Sequence, residues 1–175
     1  APAAYVSANS KNYIVYVTAQ GTGNKIVVQK IGTTSSTATP TTISSSAYGV
    51  VTHESTDSSL TIYTATMDGT VYKVNFEASD GAERFTEASS TVHLGEPIKI
   101  PPILSQNKDK LYVLTQNGKF YTIPTTFTSF GSATKNLDLN TEFTVPMAMD
   151  ESGIIYALST NGTLYRIDPS GVETH

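Results

Sequence analysis

The chain has 175 residues, a net charge of −4 and no cysteine. This length is sufficient for one domain with a buried core, and the lack of cysteine excludes disulfides, thiol catalysis and thiolate metal sites. Only 15% of the residues are charged and the lysines and arginines are scattered, so nothing favours binding to nucleic acid or to an anionic membrane.

Short runs rich in Tyr, Val, Ile and Thr alternate along the chain with clusters of Gly, Asn, Asp, Ser and Pro. No helical periodicity extends over three turns, so the pattern predicts an all-β chain. The first hairpin is predicted in YIVYVTAQGTGNKIVVQKI, residues 13–31. Val17, Gly23 and Ile26 are its expected key positions, and Gly21 is an alternative turn residue.

Three later hairpins share one frame: TIYTATMDGTVYKV at 61–74, LYVLTQNGKFYTI at 111–123 and IIYALSTNGTLYRI at 154–167. In each, one tyrosine precedes a glycine by six residues and a second follows it by three. These repeat anchors are Tyr63, Gly69, Tyr72, Tyr112, Gly118, Tyr121, Tyr156, Gly162 and Tyr165. Asp or Asn before the glycine predicts a type I′ turn, and matched strand positions predict tyrosines packed between repeats.

A short apolar strand precedes each hairpin and a Ser/Thr-rich tail follows it, so each unit is predicted to contain four strands. The expected repeats are 1–45, 46–99, 100–144 and 145–175, with the last one lacking its final strand. Four-stranded units of roughly 40–50 residues are typical of β-propeller blades. The sequence therefore predicts a single propeller domain or segment, 1–175, of about four blades.

The last unit resembles the pyrroloquinoline-quinone-like (PQQ-like) propeller repeat. Residues 153–171, GIIYALSTNGTLYRIDPSG, carry the pattern of Gly, apolar-Tyr-Ala-Leu, Asn-Gly, Leu-Tyr, Asp-Pro and Gly. Family members that hold the quinone, and those with the tryptophan-docking motif, end each repeat in Trp, and this chain has no Trp. The resemblance therefore implies a non-catalytic propeller without quinone or other cofactor.

An incomplete propeller ring leaves strand edges and a sheet face exposed. Three arrangements would resolve this for a four-unit chain. It is a segment of a larger propeller, or a second copy or partner chain completes the ring, or the chain forms a small four-bladed ring with joined ends.

Few residues are candidates for catalysis or metal binding. His53, His93 and His175 lack the spacing of metal ligands, and His53 and Glu54 would point to opposite faces of a strand. The carboxylates lie mainly in predicted turns, and no calcium-loop or catalytic motif is present. We expect no catalytic, metal or cofactor site, and we predict that the chain is not an enzyme.

The unrepeated aromatic residues are the predicted partner contacts: Phe127, Phe130 and Phe85. The first two lie in an uncharged loop, 124–134, which is either tucked against a neighbour or offered to a partner.

The sequence thus predicts a non-catalytic, extracytoplasmic propeller that binds or scaffolds proteins. Low charge and a start at Ala-Pro favour export. One alternative is a structural subunit of a cell-surface assembly or filament whose blade edges are covered by neighbouring subunits. A second is an enzyme or carbohydrate-binding propeller with its site at converging loops. The expected partner is a protein or further copies of the chain, without nucleic acid; no apolar stretch reaches the roughly 18 residues of a membrane span.

Overall fold

A computed structural model describes residues 3–20, 23–33, 41–56, 58–79, 83–86, 90–128, 132–170 and 172–174. Within these ranges the chain forms four antiparallel sheets and no α-helix. The all-β prediction is therefore confirmed. No helix in the described ranges is long and apolar enough to cross a bilayer.

The first sheet consists of β1 Ala4–Ala8, β2 Lys11–Gln20, β3 Gly23–Lys30 and β4 Thr41–Ile43. The second consists of β5 Ala47–Thr56, β6 Ser59–Thr66, β7 Thr70–Glu77, β8 Arg84–Phe85 and β9 Ser90–His93. The third consists of β10 Ile103–Leu104, β11 Lys110–Leu114, β12 Lys119–Pro124 and β13 Thr134–Asp138. The fourth consists of β14 Ala148–Met149, β15 Ile155–Leu158, β16 Leu164–Asp168 and β17 Val172–Thr174.

Strands are hydrogen-bonded in chain order within each sheet, except that β8 and β9 both pair with β7. Two strands of the inner sheets, β6 and β11, are buried on both faces because each of these sheets lies between two others. In β6, every residue after Ser59 is buried, including three threonines. In β11, residues 111–114 form the continuous apolar run that is typical of a strand buried on both sides.

The fourth sheet corrects the prediction that the last repeat lacks its final strand. β17 pairs with β16 in the register Arg166↔Thr174, Ile167↔Glu173 and Asp168↔Val172. The sequence offered no long Ser/Thr-rich tail here, but three residues are enough to add a short outer strand.

The three matched hairpins do not use the predicted type I′ turn. Gly69 has φ of 85°, whereas Asp68 is not among the residues with positive φ. The Gly69 N–H donates to the Thr66 carbonyl at 2.9 Å, which is a type I turn followed by a left-handed glycine bulge. The corresponding turns are Thr115–Gly118 and Ser159–Gly162, each closed at 3.1 Å.

Side chains explain this choice of turn. The Asp68 carboxylate accepts the Thr70 N–H at 3.1 Å, and the Thr66 hydroxyl donates to the Thr70 carbonyl at 2.8 Å. Each side chain thus forms a hydrogen bond with a backbone group that the extra loop residue leaves unpaired. The signal in the sequence was the Ser or Thr two positions before each Asp-Gly or Asn-Gly.

The register predicted for the first hairpin is wrong. Gly23 is the first residue of β3 and pairs with Gln20, so it is not the turn glycine; positions 21 and 22 lie outside the described residues. Val17 pairs with Ile26 as Ala65 pairs with Val71 in the second sheet. The positions that match the repeated tyrosines are therefore Val15 and Val27.

Three hydrophobic clusters hold the sheets together. One joins the first sheet to the second, another joins the second to the third, and the last joins the third to the fourth. The core is therefore a series of three interfaces between successive sheets.

Candidate interaction surfaces

The repeated tyrosines point in two fixed directions. Tyr63 and Tyr112, the first tyrosines of their hairpins, pack against the sheet that follows in the chain. Tyr72, Tyr121 and Tyr165, the second tyrosines, pack against the sheet that precedes. We call the side of a sheet that faces the following sheet its leading face, and the opposite side its trailing face.

The leading face of the fourth sheet is exposed in this structure. It carries Tyr156, Leu158, Leu164 and Arg166, because Leu158 pairs with Leu164 and Tyr156 pairs with Arg166. Leu158 is 41% exposed and Leu164 is 56% exposed. These two leucines form an exposed apolar pair at the hairpin end of β15 and β16.

The same positions in the third sheet are fully covered. Leu114 and Phe120 correspond to Leu158 and Leu164, and both are 0% exposed. They pack against the trailing face of the fourth sheet, which includes Ile155. The exposure of the two leucines therefore reflects a missing neighbour rather than a different strand geometry.

The trailing face of the first sheet is exposed at Tyr5 and Ile14 but not at Val27, which is 3% exposed. The face carries Tyr5, Ile14, Tyr16, Val27 and Gln29, which are linked by the pairs Tyr5↔Ile14, Ile14↔Gln29 and Tyr16↔Val27. Tyr5 is 64% exposed and Ile14 is 39% exposed. The residues that match Ile14 in the other sheets, namely Ile62, Leu111 and Ile155, are all 0% exposed.

The hairpin glycines give an independent sign of the missing neighbour. A Cβ placed on Gly69 would lie 2.5 Å from the Glu96 carbonyl oxygen, and one on Gly118 would lie 2.7 Å from the Thr141 carbonyl oxygen. Both contacts come from the chain that crosses the hairpin toward the next sheet. Gly162 has no atom within 4 Å of its Cβ position among the described residues.

The four sheets therefore form an open arc. A four-bladed ring with joined ends would cover Leu164 and Ile14, so that arrangement, one of the three left open by the sequence, does not occur in this structure. Among the described residues, no sheet covers Leu164 on the leading face of the fourth sheet or Ile14 on the trailing face of the first.

The predicted partner-contact residues lie elsewhere. Phe127 is 1% exposed and packs against Tyr63 with ring centroids 6.4 Å apart, so its part of the loop is tucked against a neighbouring sheet and cannot contact a partner without opening. Phe85 is half-buried against Phe76, 5.5 Å between centroids. Phe130 lies outside the described residues.

A polar cleft of about 380 Å³ lies beside the second sheet. Its lining includes His53, Thr61, Lys73 and Asn75. Tyr63 lies at one side, where its hydroxyl donates to the Thr125 carbonyl at 3.4 Å and burial raises the pKa of Tyr63 to about 12. No carboxylate lines the described part of this cleft.

The other histidines do not form a site. His93 Nδ1 lies 3.2 Å from the Thr70 hydroxyl, and His175 is outside the described residues. Among the described residues, no cluster of three His, Asp or Glu side chains is arranged to hold a metal ion.

The Glu83 carboxylate links the first sheet to the second. Burial raises the pKa of Glu83, but hydrogen bonds from Tyr13 and Lys11 and the nearby Lys30 charge outweigh that effect and lower it. Tyr13 donates at 2.8 Å and Lys11 at 3.2 Å. These contacts tie β2 to the segment before β8, across the first interface.

Asp68 is held in the same manner within a turn. Burial raises the pKa of Asp68, but hydrogen bonds from Ser44, Thr66 and Thr70 together lower it below its ordinary value. This carboxylate therefore stabilises the turn, as Asn161 does in the fourth sheet, where its Oδ1 accepts the Thr163 N–H at 3.0 Å.

No protein-family model and no curated protein matches the sequence. Solved structures do match. BBS1N in complex with ARL6DN is 11% identical, with a TM-score of 0.61 over 95% of this chain and 50% of that chain. The β-propeller domain of Cps50 (Swd1) from Myceliophteria thermophila is 11% identical, with a TM-score of 0.59 over 93% and 50%. BamB from Moraxella catarrhalis is 14% identical, with a TM-score of 0.56 over 99% and 48%.

These structures are β-propellers, so the chain has the β-propeller fold. The chain spans about half the length of each of the three.

Proposed function

We propose that the chain is a non-catalytic protein-interaction module whose binding surfaces are its two free blade faces. The observation that carries the proposal is the uncovered leading face of the fourth sheet. Leu158 and Leu164 form an apolar pair at its hairpin end, and Tyr156 and Arg166 form the next pair on the same face. Aromatic and aliphatic side chains together with an arginine are typical of protein–protein interfaces.

The chemistry of the described residues supports binding rather than catalysis. The described lining of the polar cleft holds one lysine and one histidine among Ser, Thr, Asn and Tyr side chains. The three matched hairpins use their Asp, Asn and Gly residues for turns. Of the similar structures, BBS1N forms a complex with ARL6DN, which is a precedent for a propeller that holds a protein partner.

We further propose that the blades are of the PQQ-like type and that the protein works outside the cytoplasm. The first rests on the pattern in residues 153–171, and the second rests on the low-charge composition. Fractionation of the source cells tests the location, and a cytoplasmic chain would contradict it.

Site-specific photocrosslinking tests the interaction function. A benzophenone amino acid replaces Leu164 in the chain expressed in its source cells, and the crosslinked protein and residue are identified by mass spectrometry. We expect a specific adduct that is lost when Leu158 is also changed to Glu. Tyr48, which is 40% exposed on the second sheet, is the control position. Equal adducts from Leu164 and Tyr48, or none from Leu164, would contradict the proposal.

A second candidate function is a structural subunit that assembles with its own copies. It is favoured by one observation: a single chain carries both a free leading face and a free trailing face. These are the two kinds of surface that pack together at every interface inside the arc.

A further inference from the structure

We infer that two copies of the chain close one eight-bladed ring, in which the leading face of each fourth sheet packs on the trailing face of the other copy's first sheet. This inference rests on the proposed interaction function and names its partner. It concerns the end faces defined above and no other surface.

The first argument is that the chain already makes this interface three times. At each internal interface, the leading face of one sheet contacts the trailing face of the next. In the last of them, Leu114 and Phe120 of the leading face pack with Ile155 of the trailing face. A new interface between Leu158, Leu164 and Ile14 would repeat that chemistry with the corresponding residues.

The second argument is that the two free faces are complementary in kind. No interface within the arc joins two leading faces or two trailing faces. A second copy supplies the missing face at both ends at once. A partner with only one blade face would leave the other end of the arc exposed.

The third argument is geometric closure. Propellers contain typically 4–8 blades, and this four-sheet chain matches about half of each of the three propellers above. Two half-rings related by a two-fold axis give a closed dimer with two equivalent contacts. A head-to-tail contact that failed to close would instead propagate as a filament.

The hairpin of the fourth sheet has room for such a neighbour. Among the described residues, no atom lies within 4 Å of a Cβ placed on Gly162, whereas the chain running to the next sheet occupies the space above Gly69 and Gly118. A blade docked on the fourth sheet therefore meets no clash at this hairpin.

Sedimentation of the purified 175-residue chain over a dilution series tests the stoichiometry. We expect a species of twice 18.7 kDa that dissociates on dilution. Leu164→Arg and Ile14→Arg should each weaken the dimer by about tenfold or more, because each replaces a buried apolar contact with a charge. Tyr48→Arg is the matched control and should leave the dimer unchanged. Circular dichroism verifies that every variant folds.

Engineered cysteines test the direction of packing, because the chain has no cysteine of its own. A mixture of Leu158→Cys and Ile14→Cys copies should give a mixed disulfide under mild oxidation, whereas neither variant alone should crosslink. Homodimeric disulfides of Leu158→Cys would overturn the head-to-tail arrangement.

The remaining outcomes are also decisive. A monomer at all concentrations overturns the ring, as does a filament or a dimer insensitive to both end-face substitutions. If the chain is monomeric but the Leu164 photocrosslinker captures a different, identified protein, the interaction function stands and the second copy is excluded. If Leu164 captures nothing specific and the chain is monomeric, both proposals fail.

Discussion

Replacing Gly118 with alanine should show how much a steric collision destabilises the fold, separately from the strain of a left-handed backbone. Gly118 and Gly162 occupy the same place in their hairpins, with φ of 91° and 89°. They differ in what lies above them, since a Cβ on Gly118 would meet the Thr141 carbonyl oxygen at 2.7 Å and one on Gly162 would meet nothing within 4 Å. Gly162→Ala is therefore a matched control with the same backbone strain and no collision.

The expected magnitudes follow from these two situations. A left-handed backbone costs an L-residue roughly 1–2 kcal/mol, and alanine recovers about 0.4–1 kcal/mol by restricting the unfolded chain. Gly162→Ala should thus lower the free energy of unfolding by about 1.6 kcal/mol or less. Gly118→Ala also forces the chain at Thr141 to move, which adds about 1–3 kcal/mol by analogy with overpacked cores.

Urea unfolding monitored by circular dichroism measures both losses. Each variant is studied at a protein concentration low enough to keep the chain monomeric, so that nothing covers Gly162. A loss for Gly118→Ala that exceeds the loss for Gly162→Ala by more than about 1 kcal/mol is expected. Equal losses would refute the idea that the linking chain lies tightly over the third hairpin.

Three further predictions concern packing and pH. Phe127→Ala should lower the free energy of unfolding by about 3–5 kcal/mol in urea, and a loss typical of a surface site would show that the loop is not part of the core. Tyr112→Ala should be more destabilising than Tyr156→Ala in the same assay, because only the first tyrosine is covered by a following sheet; a reversed order would contradict the assignment of the free face. The lowered pKa of Asp68 means that its contribution is present at neutral pH and is lost as the pH falls below about 4 and through the folded-state pKa. Asp68→Asn should therefore flatten the acid side of the stability profile, and an unchanged acid side would argue against the turn hydrogen bonds.

The repeat made most of the fold predictable from the sequence. The three Tyr-Gly-Tyr frames predicted three hairpins, and each occurs with the expected glycine at positive φ. The direction of each tyrosine was not predictable, because in a run such as Leu111–Leu114 every residue is apolar and buried. Period-two alternation then carries no information about which face meets which neighbour.

The errors have equally local causes. β17 was missed because three residues without a strong strand pattern complete the sheet only by pairing with β16. Phe127 looked like a contact residue because its loop is uncharged, but an uncharged loop is also what a packed loop requires. The first hairpin was misaligned because it lacks both tyrosines and the Ser/Thr-x-Asp/Asn-Gly turn, so that neighbouring glycines competed for one role.

The free blade faces became visible only through comparison of equivalent positions. Leu158 alone is an ordinary exposed leucine, and single exposed apolar residues are normal. Its equivalent, Leu114, is the same residue at the same point of the same hairpin, and it is fully buried by the following sheet. The opposite end shows the same contrast between Ile14 and Ile62. The two residues of each pair have the same strand geometry and differ only in whether a neighbouring sheet covers them. Leu158 and Ile14 are therefore apolar at positions where a packed blade would bury them.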